Sequence, residues 1–115
     1  MPFDPIAFID ISKELQAGKT EAHYRSIINR SYYGVFGHIR NKLGLRVFDG
    51  SVHQETYRTL LNSVAVPHKK AAKRLEALFK KRKDADYNHG IEVKKFICEG
   101  CISEAEEIIR LFESE

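Results

Sequence analysis

"YRSIINRSYYGVFGHIRNKLG", residues 24–44, decides the fold. Tyr24, Ile28, Tyr32, Val35, Phe36, Ile39 and Leu43 recur at spacings of three and four. That spacing lays a broad apolar stripe along a helix running from about Thr20 to Leu43. Gly34 and Gly37 lie inside it, where each costs about 1 kcal/mol relative to alanine. An expense of that kind points to the close approach of another backbone or of a partner chain. Gly44 closes the helix.

Helical periodicity continues on both sides of this segment, and no run reads as a strand. A first helix is predicted from about Asp4 or Pro5 to Gln16, with Phe8, Ile11 and Leu15 on its more apolar side and Gly18 as its stop. "SVHQ" at 51–54 has the form of a capping box opening a third helix, whose apolar residues are Val52, Tyr57, Leu60, Leu61 and Val64. Pro67 suits the first turn of a fourth, which follows Ala71, Leu75, Leu78 and Phe79 and ends at Asn88 or Gly90. The last carries Ala105, Ile108, Ile109 and Phe112. "SEAE" from Ser103 would cap it, although Ile97 and Cys101 extend the same phase and allow an earlier start. The expectation is an all-α, up-and-down four- to five-helix bundle, formed as a single domain over residues 1–115.

No apolar run approaches the roughly 18 residues of a membrane span. The N-terminus has an early acid and no basic leader, so a cytoplasmic location is expected. Cys98 and Cys101 form a lone C-x-x-C without the second pair that a structural zinc site needs. They read as small apolar residues near the start of a helix, and no metal or cofactor is expected. Charge is uneven. Lys69, Lys70, Lys73, Arg74, Lys80, Lys81, Arg82 and Lys83 crowd one segment, while Glu99, Glu104, Glu106, Glu107, Glu113 and Glu115 crowd the tail. Such a split implies either a polyanion-binding face or two segments that neutralise each other.

"RKDADYNHG", residues 82–90, stands out within the basic segment. Arg82 falls in phase with Leu75 and Leu78, and His89 falls two turns beyond it on the same face if the helix persists. A cation on a core face requires a carboxylate or a phosphate. One reading is an internal ion pair with Asp86 at i+4, leaving His89 an incidental helix-end residue. The other is a phosphate site in which Arg82 holds the anion and His89 moves protons. His23, His38, His53 and His68 are scattered without a ligand spacing.

The 24–44 segment followed by "RKDADYNHG" resembles the HEPN domain (higher eukaryotes and prokaryotes nucleotide-binding) of bacteria and archaea. The resemblance rests on Arg25, Ser26, Arg30, Tyr32, Tyr33 and Phe36, then on Arg82, Ala85, Asp86 and Tyr87 in an R-x-x-A-D-Y pattern. "VHQETY" around His53 resembles a histidine-bearing stretch between the two. The family implies a dimeric helical bundle, and many of its members are metal-independent ribonucleases marked by an arginine and a following histidine with four to six residues between them. Arg82 and His89 fit that signature at its long end as the implied catalytic pair. Lys83, and Tyr87 at the histidine place of the short-gap form, depart from it.

In that chemistry a base takes the 2′-hydroxyl proton, an acid protonates the leaving 5′-oxygen, and a guanidinium steadies the phosphorane. Asp86, Tyr87, Lys80, Lys81, Lys83 and Arg30 are the candidate supporting or RNA-binding residues. Tyr87 serves as a surface for a base, as a modification target by the analogy with toxin relatives, or as a core or interface ring. The implied function is an RNA-cleaving homodimer, the toxin of a toxin–antitoxin or antiviral module whose antitoxin is a small nucleotidyltransferase. The alternative is a non-catalytic module that binds such a partner or a nucleotide.

Overall fold

The computed structural model describes residues 3–45 and 51–114. It contains five helices: α1 (Ala7–Leu15), α2 (Glu21–Lys42), α3 (Val52–Leu61), α4 (Val66–Tyr87) and α5 (Lys95–Phe112). There is no strand among the described residues. The long α2 is the central element, packed against α1, α4 and α5, while α3 rests mainly on α4. The all-α helical bundle expected from the periodicity is present. No described helix is long and apolar enough to cross a membrane.

α2 forms where its stripe predicts. Thr20 is its extended N-cap and accepts a hydrogen bond from the His23 backbone N–H. Gly44 follows its end with a φ of +72°, a left-handed conformation that glycine adopts without a Cβ penalty. Ile27, Ile28, Tyr32, Val35, Phe36 and Ile39 are buried along its length. The element that approaches the two glycines is α1 with the turn before it. A Cβ on Gly34 would stand 2.5 Å from Ile9 Cγ1, and one on Gly37 would stand 2.7 Å from Pro5 Cβ.

That crossing turns α1 away from its expected orientation. Ile9 and Ser12 face the core, and Ile11 is exposed. Ser12 Oγ donates to the Ile27 carbonyl at 3.1 Å and accepts from Ser31 Oγ at 3.1 Å. The two small hydroxyls let the backbones approach where a larger residue would hold them apart.

Other boundaries differ from expectation as well. α5 begins at Lys95, so Ser103 is interior to the helix and caps nothing. Ser51 is the N-cap of α3 but makes no side-chain capping bond. α3 buries His53, Thr56 and Leu60, while Val64 is fully exposed in the following turn. Cys98 and Cys101 pack in the core of α5. Burial pushes both thiols up, Cys101 to about 11, which keeps them protonated and inert near neutrality.

Candidate functional site

α4 carries Arg82 on its buried face, in line with Ala71, Leu75, Leu78 and Ala85. Only 9% of the residue is exposed. Its Nη1 donates to Asp86 Oδ2 at 3.3 Å, one helical turn on. Asn29 Nδ2 reaches the same carboxylate from α2, 3.1 and 3.0 Å from its two oxygens. The guanidinium carbon lies 5.1 Å from the ring centre of Phe79 and 5.4 Å from those of Tyr32 and Tyr33. An arginine packed among three rings and one carboxylate is held by cation–π attraction and an ion pair together. Its Nε is buried and has no hydrogen-bond partner among the described residues.

Beside it runs a polar chain through three helices. His53 on α3 places Nε2 2.9 Å from Glu76 Oε2 on α4 and Nδ1 2.5 Å from the Tyr32 hydroxyl on α2. A carboxylate only accepts, so Nε2 carries the proton and the tyrosine donates to Nδ1; this tautomer is assigned from the network. The imidazole stacks on Phe79 with ring centres 3.6 Å apart. Burial, partly offset by Glu76, pushes the imidazole below its ordinary range. Burial also raises the Tyr32 phenol far above its own. These rings, with Arg82, Phe36 and Val52, line a cavity of about 210 Å³.

A consequence for stability follows from the lowered imidazole. Its unfolded value is about 6.5, so between that value and the lower folded one the unfolded chain binds the extra proton. The His53 contribution is therefore complete above about pH 6.5 and is lost as pH falls through the depressed folded value. Urea unfolding between about pH 7.5 and 5 should show stability declining with acid, and His53→Gln should flatten that decline. An equal slope in the variant would assign the effect elsewhere.

α4 ends at Tyr87 with Asn88 as its C-cap, whose side chain accepts from the Gly90 N–H at 3.2 Å. Arg25 of α2 holds this end. Its Nη1 donates to the carbonyls of Asp84, Ala85 and Asn88, and its Nη2 donates to that of Ile91. The Asp84 carbonyl also accepts the closing Asn88 N–H at 2.9 Å, so the guanidinium supplements the last turn and reaches on to the chain beyond it, and a cation suits the negative end of the helix dipole. Two residues past the helix, His89 lies on the wall of an open pocket of about 490 Å³. Ser26, Asn29, Arg30, Tyr33 and Asp86 line it with His89.

Within one chain Arg82 and His89 therefore do not share a groove. Arg82 faces the inner cavity and His89 the outer pocket, with Tyr33 lining both. Asp86 is the link, facing the outer pocket while it holds Arg82. Arg30 is exposed, its Nη1 3.3 Å from Asn29 Oδ1 and its guanidinium above Phe8. Tyr87 is 74% exposed. Lys80, Lys81 and Lys83 are exposed too, Lys83 with its ammonium over Phe79.

The histidines separate clearly. His23 bonds Thr20, His53 bonds Tyr32 and Glu76, and His38 bonds Glu113. His68 bonds Ser63 and the Phe112 carbonyl. His89 alone makes no side-chain bond among the described residues. Among those residues no group of three or more histidines, cysteines or acids is placed to hold a metal ion. Compared with protein-family models, curated proteins and solved structures, the chain matches none.

Tyr32, Glu76, Asn29 and Arg25 join the site in roles that the sequence does not show. Tyr32 reads as one more stripe residue, and Glu76 as a stray acid among cations. Asn29 has no sequence signal. Arg25 and His53 are marked only by the family resemblance.

Proposed function

We propose that this chain is a metal-independent endoribonuclease of the HEPN kind, which cleaves RNA at the outer pocket between α2 and the end of α4. The supporting observation is that, among the described residues, His89 is the imidazole without a side-chain bond, and that it lines an open pocket with Arg30, Ser26 and Asn29. Arg30 is placed to grip a phosphate oxygen. Arg82 acts as a positioning residue: it fixes Asp86, and Asp86 fixes Asn29. In the reaction a base removes the 2′-hydroxyl proton, and the 2′-oxygen bonds to phosphorus. The bond to the 5′-oxygen breaks as that oxygen takes a proton, leaving a 2′,3′-cyclic phosphate. One imidazole serves one of these transfers. A homodimer would bring a second, and a nucleotidyltransferase antitoxin would be the partner in a toxin–antitoxin or defence module.

Purified protein incubated with single-stranded RNA in a metal chelator is expected to yield cyclic-phosphate ends, and His89→Ala to lose that cleavage while keeping its helical content. Cleavage undiminished in His89→Ala would overturn the assignment. A second reading draws on a different observation, the engagement of Arg82 by a carboxylate and three rings. On that reading the chain is a non-catalytic helical module that binds a nucleotidyltransferase partner or a nucleotide. Wild-type protein that binds nucleotide or RNA without cleaving it would favour this second reading.

A further inference from the structure

The acidic tail and the basic segment do meet, but on one flank only. Arg74 pairs with Glu104 at 2.6 Å and lies 3.8 Å from Glu107, while Lys13 takes Glu106 and Arg110 also takes Glu107. The lysines on the outer face of α4 are left out of this exchange. Lys69, Lys73 and Lys80 are exposed and have no carboxylate partner among the described residues, although Lys69 Nζ donates to the Leu61 carbonyl at 2.8 Å. At about 100° per residue these three and Tyr87 fall within about 40° of one another around the axis. They make one straight row about 27 Å long at 1.5 Å per residue. The row ends at the exposed ring of Tyr87, two residues from His89.

We infer that this row is a track for single-stranded RNA, in which the lysines follow successive phosphates and Tyr87 stacks on an unpaired base beside the outer pocket. The inference rests on the ribonuclease reading for its choice of nucleic acid. A single file of cations suits one strand, whereas a duplex presents two phosphate rows and is recognised across its minor groove. An exposed aromatic at the end of a basic path is the arrangement that holds unpaired bases. An anionic membrane surface would ask for large apolar residues along the same face. Between Lys73 and Lys80 that face offers only Ala77. Among the described residues Asp84 is the one acid directed outward near the row, since Glu76 is bound to His53.

Fluorescence anisotropy with labelled single-stranded RNA of increasing length, repeated across salt concentrations, tests the track without requiring cleavage. Affinity is expected to rise with length until about five nucleotides fill the row, near the low end of known single-strand sites. Lys73→Gln with Lys80→Gln should reduce the salt slope by about 1.4, at about 0.7 per lost phosphate contact. The double substitution should also weaken binding at least tenfold. Asp84→Asn should tighten it. Tyr87→Ala should weaken binding to single strands and leave the salt slope unchanged. An unchanged slope in the double variant overturns the track, as does preference for a duplex or for vesicles containing phosphatidylserine. Length- and lysine-dependent binding without cleavage would keep the track and remove the ribonuclease reading. Cleavage by a protein whose RNA affinity ignores Lys73 and Lys80 would do the reverse.

Discussion

Arg82→Ala is expected to lower folding stability by about 3 kcal/mol or more, the scale on which breaking one side of a buried ion pair operates. The substitution leaves Asp86 a largely buried carboxylate with Asn29 as its remaining donor, and opens a void among Tyr32, Tyr33 and Phe79. Arg82→Lys should recover little, because a compact ammonium cannot lie flat on rings and reach Asp86 together. Urea denaturation of the two variants and of Asp86→Asn, combined as a double-mutant cycle, reads the coupling directly. A loss below about 1 kcal/mol for Arg82→Ala would show that the interior tolerates an uncompensated Asp86. Loss of activity in an Arg82 variant therefore carries no information on catalysis until its stability has been measured. His89, without a side-chain bond among the described residues, gives the cleaner test.

Gly34→Val is expected to destabilise the bundle by about 2–3 kcal/mol through overpacking at the α1–α2 crossing. The first added carbon already stands 2.5 Å from Ile9 Cγ1 and 3.2 Å from the Ile9 backbone nitrogen, and backbone cannot rotate out of the way. Removing a helical glycine would by itself favour the variant by up to about 1 kcal/mol, so steric conflict must win for the sign to come out negative. Gly100 on α5 supplies the contrast. Nothing lies within 4 Å of a Cβ placed there, and Gly100→Ala should stabilise by about 0.5–1 kcal/mol. Opposite shifts in melting temperature for the two variants are the expected signature. A rise for Gly34→Val would mean that α1 slides away at little cost.

These positions also show what can be read from sequence and what cannot. The stripe of α2, its Thr20 cap and its Gly44 stop are local signals, and local signals place that helix to within a residue. The side of α1 that faces inward is not legible in the sequence, because Ile9 and Ile11 look alike to a hydrophobic pattern. The choice is made by the glycine notch on another helix and by Ser12 meeting Ser31. Ser103 and Glu106 have capping-box spacing inside a helix that starts at Lys95, since that motif also arises in continuous helix. At the site, Arg82 shows itself by sharing the phase of Leu75 and Leu78, and Asp86 by its i+4 spacing. The Glu76–His53–Tyr32 chain is hidden because its members lie on three helices, 21 and 23 residues apart. The separation of Arg82 from His89 was hidden too, because it depends on where α4 stops and on how the chain turns at Asn88.

Arg25 gives that turn a property beyond its shape. Four carbonyls between Asp84 and Ile91 are gathered by one guanidinium that is itself braced by Glu21. The segment bearing His89 is thus preorganised, its freedom surrendered during folding and not at the moment of contact. A guest entering there would meet walls already set and owe little ordering entropy. Its tightness of binding would then depend on the brace in α2 as much as on anything the guest touches.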